Sequence, residues 1–172
     1  MAKPILNVDD IKLQSRSAAF TAPGDLAEKF DAKMGFISPL IGALKMGYNL
    51  TSVPPGKRAF PHHFHRVNEE MFFILEGDGE LRYGKDTFPV KKGDIIACPP
   101  GGPESAHQII NTGATELKYL AVSTKLSPEI AGYPDSDKFA ISADLGLDAD
   151  GKPQFFRFVG RGDKSLNYWD GE

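Results

Sequence analysis

Short runs of aliphatic, β-branched and aromatic residues fill the middle of the chain, and glycine or proline sets each run off from the next. That texture predicts the strands of a sandwich or barrel. The clearest run is Met71-Phe72-Phe73-Ile74-Leu75, followed by the turn signal Glu76-Gly77-Asp78-Gly79 and then Glu80-Leu81-Arg82-Tyr83; together these predict a β-hairpin. Further strands are predicted over 87–90, 94–98, 106–110 and 117–122, with turns at 84–86 and 91–93, and 36–53 suits one or two more. Pro23 to Lys29 reads as the only short helix. The expected organisation is one domain over 1–172: an N-terminal arm (1–35), a barrel core (40–123) and a C-terminal extension (124–172) that wraps the barrel or a partner subunit. The aromatics Phe155, Phe156, Phe158 and Trp169 of that extension are expected to pack on the barrel's outer face.

A strand with one wet face alternates apolar and polar residues, whereas 71–75 is apolar on both faces. Both faces need cover, and a homodimer is the economical way to cover the outer one.

Composition narrows the options. At 172 residues, 41% hydrophobic and 10% aromatic, the chain can build one sizeable core. A net charge of -3, with scattered Lys and Arg, provides no basic field for nucleic acid. No run approaches the roughly 20 apolar residues of a membrane-spanning helix, so a soluble, cytoplasmic protein is expected. Cys98 is the sole cysteine, which excludes an intrachain disulfide. At the end of an apolar strand it reads as a small buried hydrophobe.

Candidate chemistry lies in His63, His65, Glu70 and His107. Three imidazole nitrogens and one carboxylate suit a divalent transition metal such as Zn, Fe, Mn or Ni, whereas Ca or Mg favours oxygen ligands. On a strand, His63 and His65 share one face while His62 and Phe64 point the other way. Glu70 follows a bend at 66–69, and His107 enters the next strand after the Pro- and Gly-rich loop 99–104. By the same alternation Phe72, Ile74 and Ile109 face inward with Glu70 and His107 and form the expected apolar pocket lining.

These residues resemble the two motifs of the cupin superfamily. The first is carried by Gly56, His63-Phe64-His65, Glu70 and Gly77; the second by Gly93, Pro99-Pro100-Gly101, His107 and Asn111. The six residues between Glu70 and Gly77 favour Glu70 over Glu69 as the carboxylate. The resemblance covers about 40–123 and extends to small bacterial cupins with a Tyr-Pro-Asp segment and a Tyr-Trp tail, here Tyr133-Pro134-Asp135 and Tyr168-Trp169. It implies an all-β double-stranded β-helix, a jelly roll, with His63, His65, Glu70 and His107 as ligands of a divalent metal near one mouth of the barrel. It also adds Asn111 to the expected pocket.

The leading functional expectation is a metal-dependent enzyme of oxygenase, isomerase, lyase or decarboxylase type acting on a chelated small molecule. No catalytic residue beyond the ligands is assigned; Glu69, Tyr83 or a metal-bound hydroxide would have to move protons. The alternatives are a non-catalytic binding or sensor protein, and a metal-free sugar-binding or sugar-isomerising cupin.

Overall fold

The computed structural model describes residues 3–17 and 21–172. Among these the chain forms β1 (Gln14–Ser15), β2 (Lys33–Phe36), the one-turn α1 (Ser38–Ile41), β3 (Met46–Val53), β4 (Phe64–His65), β5 (Glu70–Glu76), β6 (Asp78–Tyr83) and β7 (Asp86–Lys91). It continues through β8 (Ile95–Cys98), β9 (His107–Ile110), β10 (Leu117–Thr124), β11 (Glu129–Tyr133), β12 (Lys138–Leu147) and β13 (Pro153–Gly160).

One sheet runs β1-β2-β3-β10-β5-β8; the others run β7-β6-β9 and β13-β12-β11-β4. A bridge between His63 and His107 ties the two smaller sheets together. Val53, Phe72, Ile74, Leu117 and Tyr119 of the large sheet and Leu81, Val90 and Ile109 of a smaller one belong to one buried cluster. Closure of apolar faces from separate sheets on a shared core gives the double-stranded β-helix.

The predicted hairpin at 76–79 does not form. Glu70–Glu76 pairs with β10 and β8, while Asp78–Tyr83 pairs with β7 and β9, so the turn carries the chain from one sheet to the other. Gly77 makes this corner possible: its φ is +78°, and a Cβ there would lie 2.4 Å from the Glu116 carbonyl oxygen. The hairpin forms one strand later, where Tyr83 pairs with Asp86 around Gly84 and Lys85.

Pro23 to Lys29 contains a 3-10 helix over Gly24–Glu28, but it is not the only short helix. Ser38–Ile41 makes a single α-turn with Pro39 in its first turn and Gly42 in the left-handed conformation after it. The Ser38 hydroxyl locks this turn to β3 by donating to the Met46 carbonyl and accepting from the Tyr48 amide.

The sheets reach beyond 40–123 on both sides. β1 and β2 extend the large sheet through β3, and β11 pairs with Phe64 and His65. The C-terminal aromatics do not pack on the barrel's outer face: Phe155, Phe156, Phe158 and Trp169 are exposed. β12 pairs with β11 only over 138–142, so the far half of the β12–β13 hairpin extends past the sheet that would have supported it. As read from the sequence, Phe72 and Ile74 are buried, while Met71, Phe73 and Leu75 on the other face are only half-buried. No helix among the described residues is long and apolar enough to cross a membrane.

Candidate metal centre

Backbone pairing brings the two histidine-bearing segments together. The His63 amide donates to the His107 carbonyl at 3.2 Å and the His107 amide to the His63 carbonyl at 2.7 Å. This exchange sets the two rings 4.7 Å apart, centroid to centroid. β4 then directs His65 to the same side, and β5 begins with Glu70 opposite Cys98.

Three imidazole nitrogens converge on one oxygen. Glu70 Oε2 lies 2.9 Å from His107 Nε2, 3.4 Å from His65 Nε2 and 3.8 Å from His63 Nε2. Donor atoms of His63, Glu70 and His107 all lie within 4.8 Å of one another. His65 completes the set from the side, its ring 5.1 Å from that of His63 and 6.2 Å from that of His107.

The outer nitrogens are held by backbone. His63 Nδ1 is 2.8 Å from the Pro61 carbonyl oxygen and His107 Nδ1 is 3.2 Å from that of Ser105. A carbonyl only accepts, so each Nδ1 must carry the proton and donate it. In the neutral rings Nε2 is then a bare lone pair aimed at a carboxylate oxygen, an arrangement that needs a proton or a cation between them. Both ring nitrogens of His65 are buried without a completed hydrogen bond.

Electrostatics favour the same neutral state for His63. Burial, reinforced by His107, pulls His63 down to about 4 against the opposing pull of Glu70, so this imidazole stays neutral and basic. Burial opposes charge on Glu70, but the imidazoles of His107 and His65 outweigh it and hold the carboxyl well below its ordinary range. His65 moves upward: desolvation works against its charged form, and the carboxylates of Glu70 and Glu129 prevail. Three nitrogen donors and one anionic oxygen in this cluster suit a divalent transition ion.

The other sequence-selected residues take varied places. His62 points to the opposite side and is buried, with Nδ1 3.7 Å from Asp135 Oδ1. Glu69 is exposed and turned to Thr124, whose hydroxyl accepts from its amide. Tyr83 sits directly across the β6–β9 ladder from His107. Phe72 packs against His107 and Tyr119 at 5.7 and 5.6 Å. Ile74 and Ile109 are core, and Asn111 is fully buried, its amide donating to the carbonyls of Val53 and Thr115. Cys98 is buried, and desolvation, with Glu70 nearby, pushes its thiol up to about 12.

Two further residues shape the site from the C-terminal extension. Glu129, opposite Ser142 in β11, accepts hydrogen bonds from the amides of Arg66, Val67, Asn68 and Ile130 and stands 3.5 Å from His65 Nδ1. Tyr133 stacks on His63 at 6.0 Å and 23°. Tyr133, Phe60 and Pro61 also wall a cavity of about 1010 Å³ beside the donors. The Tyr-Pro-Asp segment could have pointed to Tyr133; Glu129 has no spacing signal that singles it out.

A jelly-roll barrel with a His-rich donor cluster between its sheets defines a cupin barrel. Residues 49–123 match the family model described as Cupin domain. An uncharacterized protein of Methanocaldococcus jannaschii is 42% identical over 71 residues, which is 41% of this chain and 54% of that relative. The oxalate-binding protein of Thermotoga maritima is 36% identical over 70 residues, again 41% of this chain and 54% of the relative. The chain thus spans about half the length of the curated relatives it matches. A solved structure of a sugar phosphate isomerase from a cupin superfamily, from Silicibacter pomeroyi, is 27% identical, covers 97% of this chain and 98% of its own, and superposes with a TM-score of 0.74.

Proposed function

We propose that His63, His65, Glu70 and His107 hold a divalent transition metal and that the chain is a metal-dependent enzyme acting on a small molecule. The observation that carries this reading is the convergence of three Nε2 atoms on Glu70 Oε2 while backbone carbonyls occupy Nδ1 of His63 and His107. When bound, the ion would polarise a carbonyl or hydroxyl oxygen as a Lewis acid. The chain supplies the rest. Pro61 and Ser105 fix two imidazole tautomers, Glu129 orients the third ring, and Phe60 and Tyr133 shield the donors from water. Burial raises Tyr133 against the influence of Arg157, so its hydroxyl stays protonated and able to donate. Likeness to a sugar phosphate isomerase along nearly the whole chain favours isomerase chemistry among the reaction types.

Elemental analysis of protein purified without added metal tests the site. One transition-metal ion per chain, with affinity at least tenfold lower in His63→Ala and Glu70→Gln, is expected. Metal content unchanged in every ligand variant would end the proposal. A binding-only reading is supported by the name of the Thermotoga relative. It predicts ligand uptake without turnover by metal-loaded protein, and catalysis abolished in His107→Ala would exclude it.

The assembly proposed with this site is a homodimer. Its support is the outer face of the large sheet, where Phe73 lies between Leu120 and Ile95, and Leu120 in turn faces Leu50. Ile95 in that row is exposed. Sedimentation equilibrium at micromolar concentration should give twice the chain mass; a single-chain mass would reject the dimer.

A further inference from the structure

The cavity beside the donors has a lopsided charge. Among the described residues Arg16, Lys138 and Arg157 line it and no acidic residue does, although the chain as a whole carries a formal charge of -3. Two regions far apart in sequence contribute these cations: the segment after β1, and the β12–β13 hairpin, at the start of β12 and the middle of β13. Lys138 pairs with Tyr133 across β11–β12, and Ser142, on the same face of β12, pairs with Arg157. Sheet alternation therefore turns Tyr133, Lys138 and Arg157 to one side.

Two of the cations stand one aromatic ring away from the donor cluster. Arg16 Cζ lies 4.6 Å from the centre of the Phe60 ring, and Phe60 lies 6.3 Å from His63. Lys138 Nζ lies 5.0 Å from the centre of the Tyr133 ring, which stacks on His63. Arg16 is held in place by donating to the Ala59 carbonyl, and Asp31 is the carboxylate that acts on it. Apolar walls from Met34, Phe36 and Val159 lower the local dielectric, while Gln14, Ser15 and Asn49 add neutral polar groups. Cations in a partly apolar cleft concentrate anions.

We infer that this cavity binds a small organic molecule through a terminal oxyanion, a phosphate ester or a carboxylate, with the far end of the molecule directed to the His63 side. The inference rests on the reading of the centre as a small-molecule site and is independent of which metal occupies it. Arg16, Lys138 and Arg157 face the oxyanion, where a guanidinium can fork two oxygens at once. Phe60 and Tyr133 flank the carbon skeleton, and the neutral polar groups are placed for hydroxyls.

Calorimetric titration of the full chain with glucose 6-phosphate, glucuronate and glucose tests this with one pyranose skeleton carrying a phosphate, a carboxylate or no charge at its sixth carbon. At least one anion should bind tenfold or more tightly than glucose, in both metal-loaded and chelator-treated protein. Lys138→Gln with Arg157→Gln should remove that preference while leaving metal content and melting temperature in place. Whichever anion binds more tightly identifies the headgroup. Anions binding no better than glucose, or a preference unchanged in the double variant, would overturn the inference. Metal content, measured separately on the same samples, reports on the centre alone, so failure of one reading is distinguishable from failure of the other.

Discussion

Glu129 Oε2 stands 3.5 Å from His65 Nδ1 while the same carboxylate gathers the backbone amides of Arg66, Val67 and Asn68. One buried side chain on β11 thus fixes both the orientation of a donor imidazole and the bend that delivers Glu70. A carboxylate behind a histidine sharpens its tautomer and its basicity as a ligand.

Glu129→Gln keeps the shape but turns an amide NH2 toward amide donors. It should lower stability by about 1–3 kcal/mol and weaken metal binding tenfold or more. Thermal unfolding and a competitive metal titration check the two effects, and unaltered metal affinity would remove Glu129 from the site.

The corner at Gly77 should be far less tolerant than the one at Gly56, although both have positive φ, +78° and +74°. A methyl group at Gly56 meets nothing within 4 Å, whereas at Gly77 it would strike the Glu116 carbonyl. Gly56→Ala should cost about 1–2 kcal/mol from backbone strain alone, and Gly77→Ala several kcal/mol more. Urea midpoints of the two variants compare them directly.

Asn111 tests structure against recognition. Its amide bonds to Val53 and Thr115 and its oxygen accepts from the Gly113 amide, so Asn111→Ala leaves buried backbone groups unpaired. A loss of about 2–4 kcal/mol in stability is expected, with anion binding in the folded variant unchanged.

Cys98 should be silent toward thiol reagents. Burial raises its pKa to about 12, so at pH 8 the group is almost wholly neutral thiol, and thiolate appears only as pH approaches that value. Ellman's reagent should modify about one thiol per chain in denaturant and almost none in native protein.

Strand texture, the inward face carrying Phe72, Ile74 and Ile109, and the pairing of His63 with His65 over His62 were legible because side chains alternate with a period of two. Turn signals at 76–79 marked where the chain changes direction but not which strand it joins next. A Gly-rich turn looks alike whether it closes a hairpin or crosses between sheets, and only the approach of Glu116 to Gly77 distinguishes them. Tyr133 stood within a noticed segment, yet its stacking on His63 depends on β11 pairing with β4, a contact across more than sixty residues.

The sequence by itself determined an all-β chain, through local period, and offered His63, His65, Glu70 and His107 as candidate donors, through residue type, alternation and the spacing of the cupin-like motifs. Only the tertiary structure decided that His107 meets His63 through backbone, that Glu129 stands behind His65, and that Arg16, Lys138 and Arg157 share one cavity. Those relationships join residues far apart along the chain, and the closing of sheets over a common core, which no local pattern encodes, sets them.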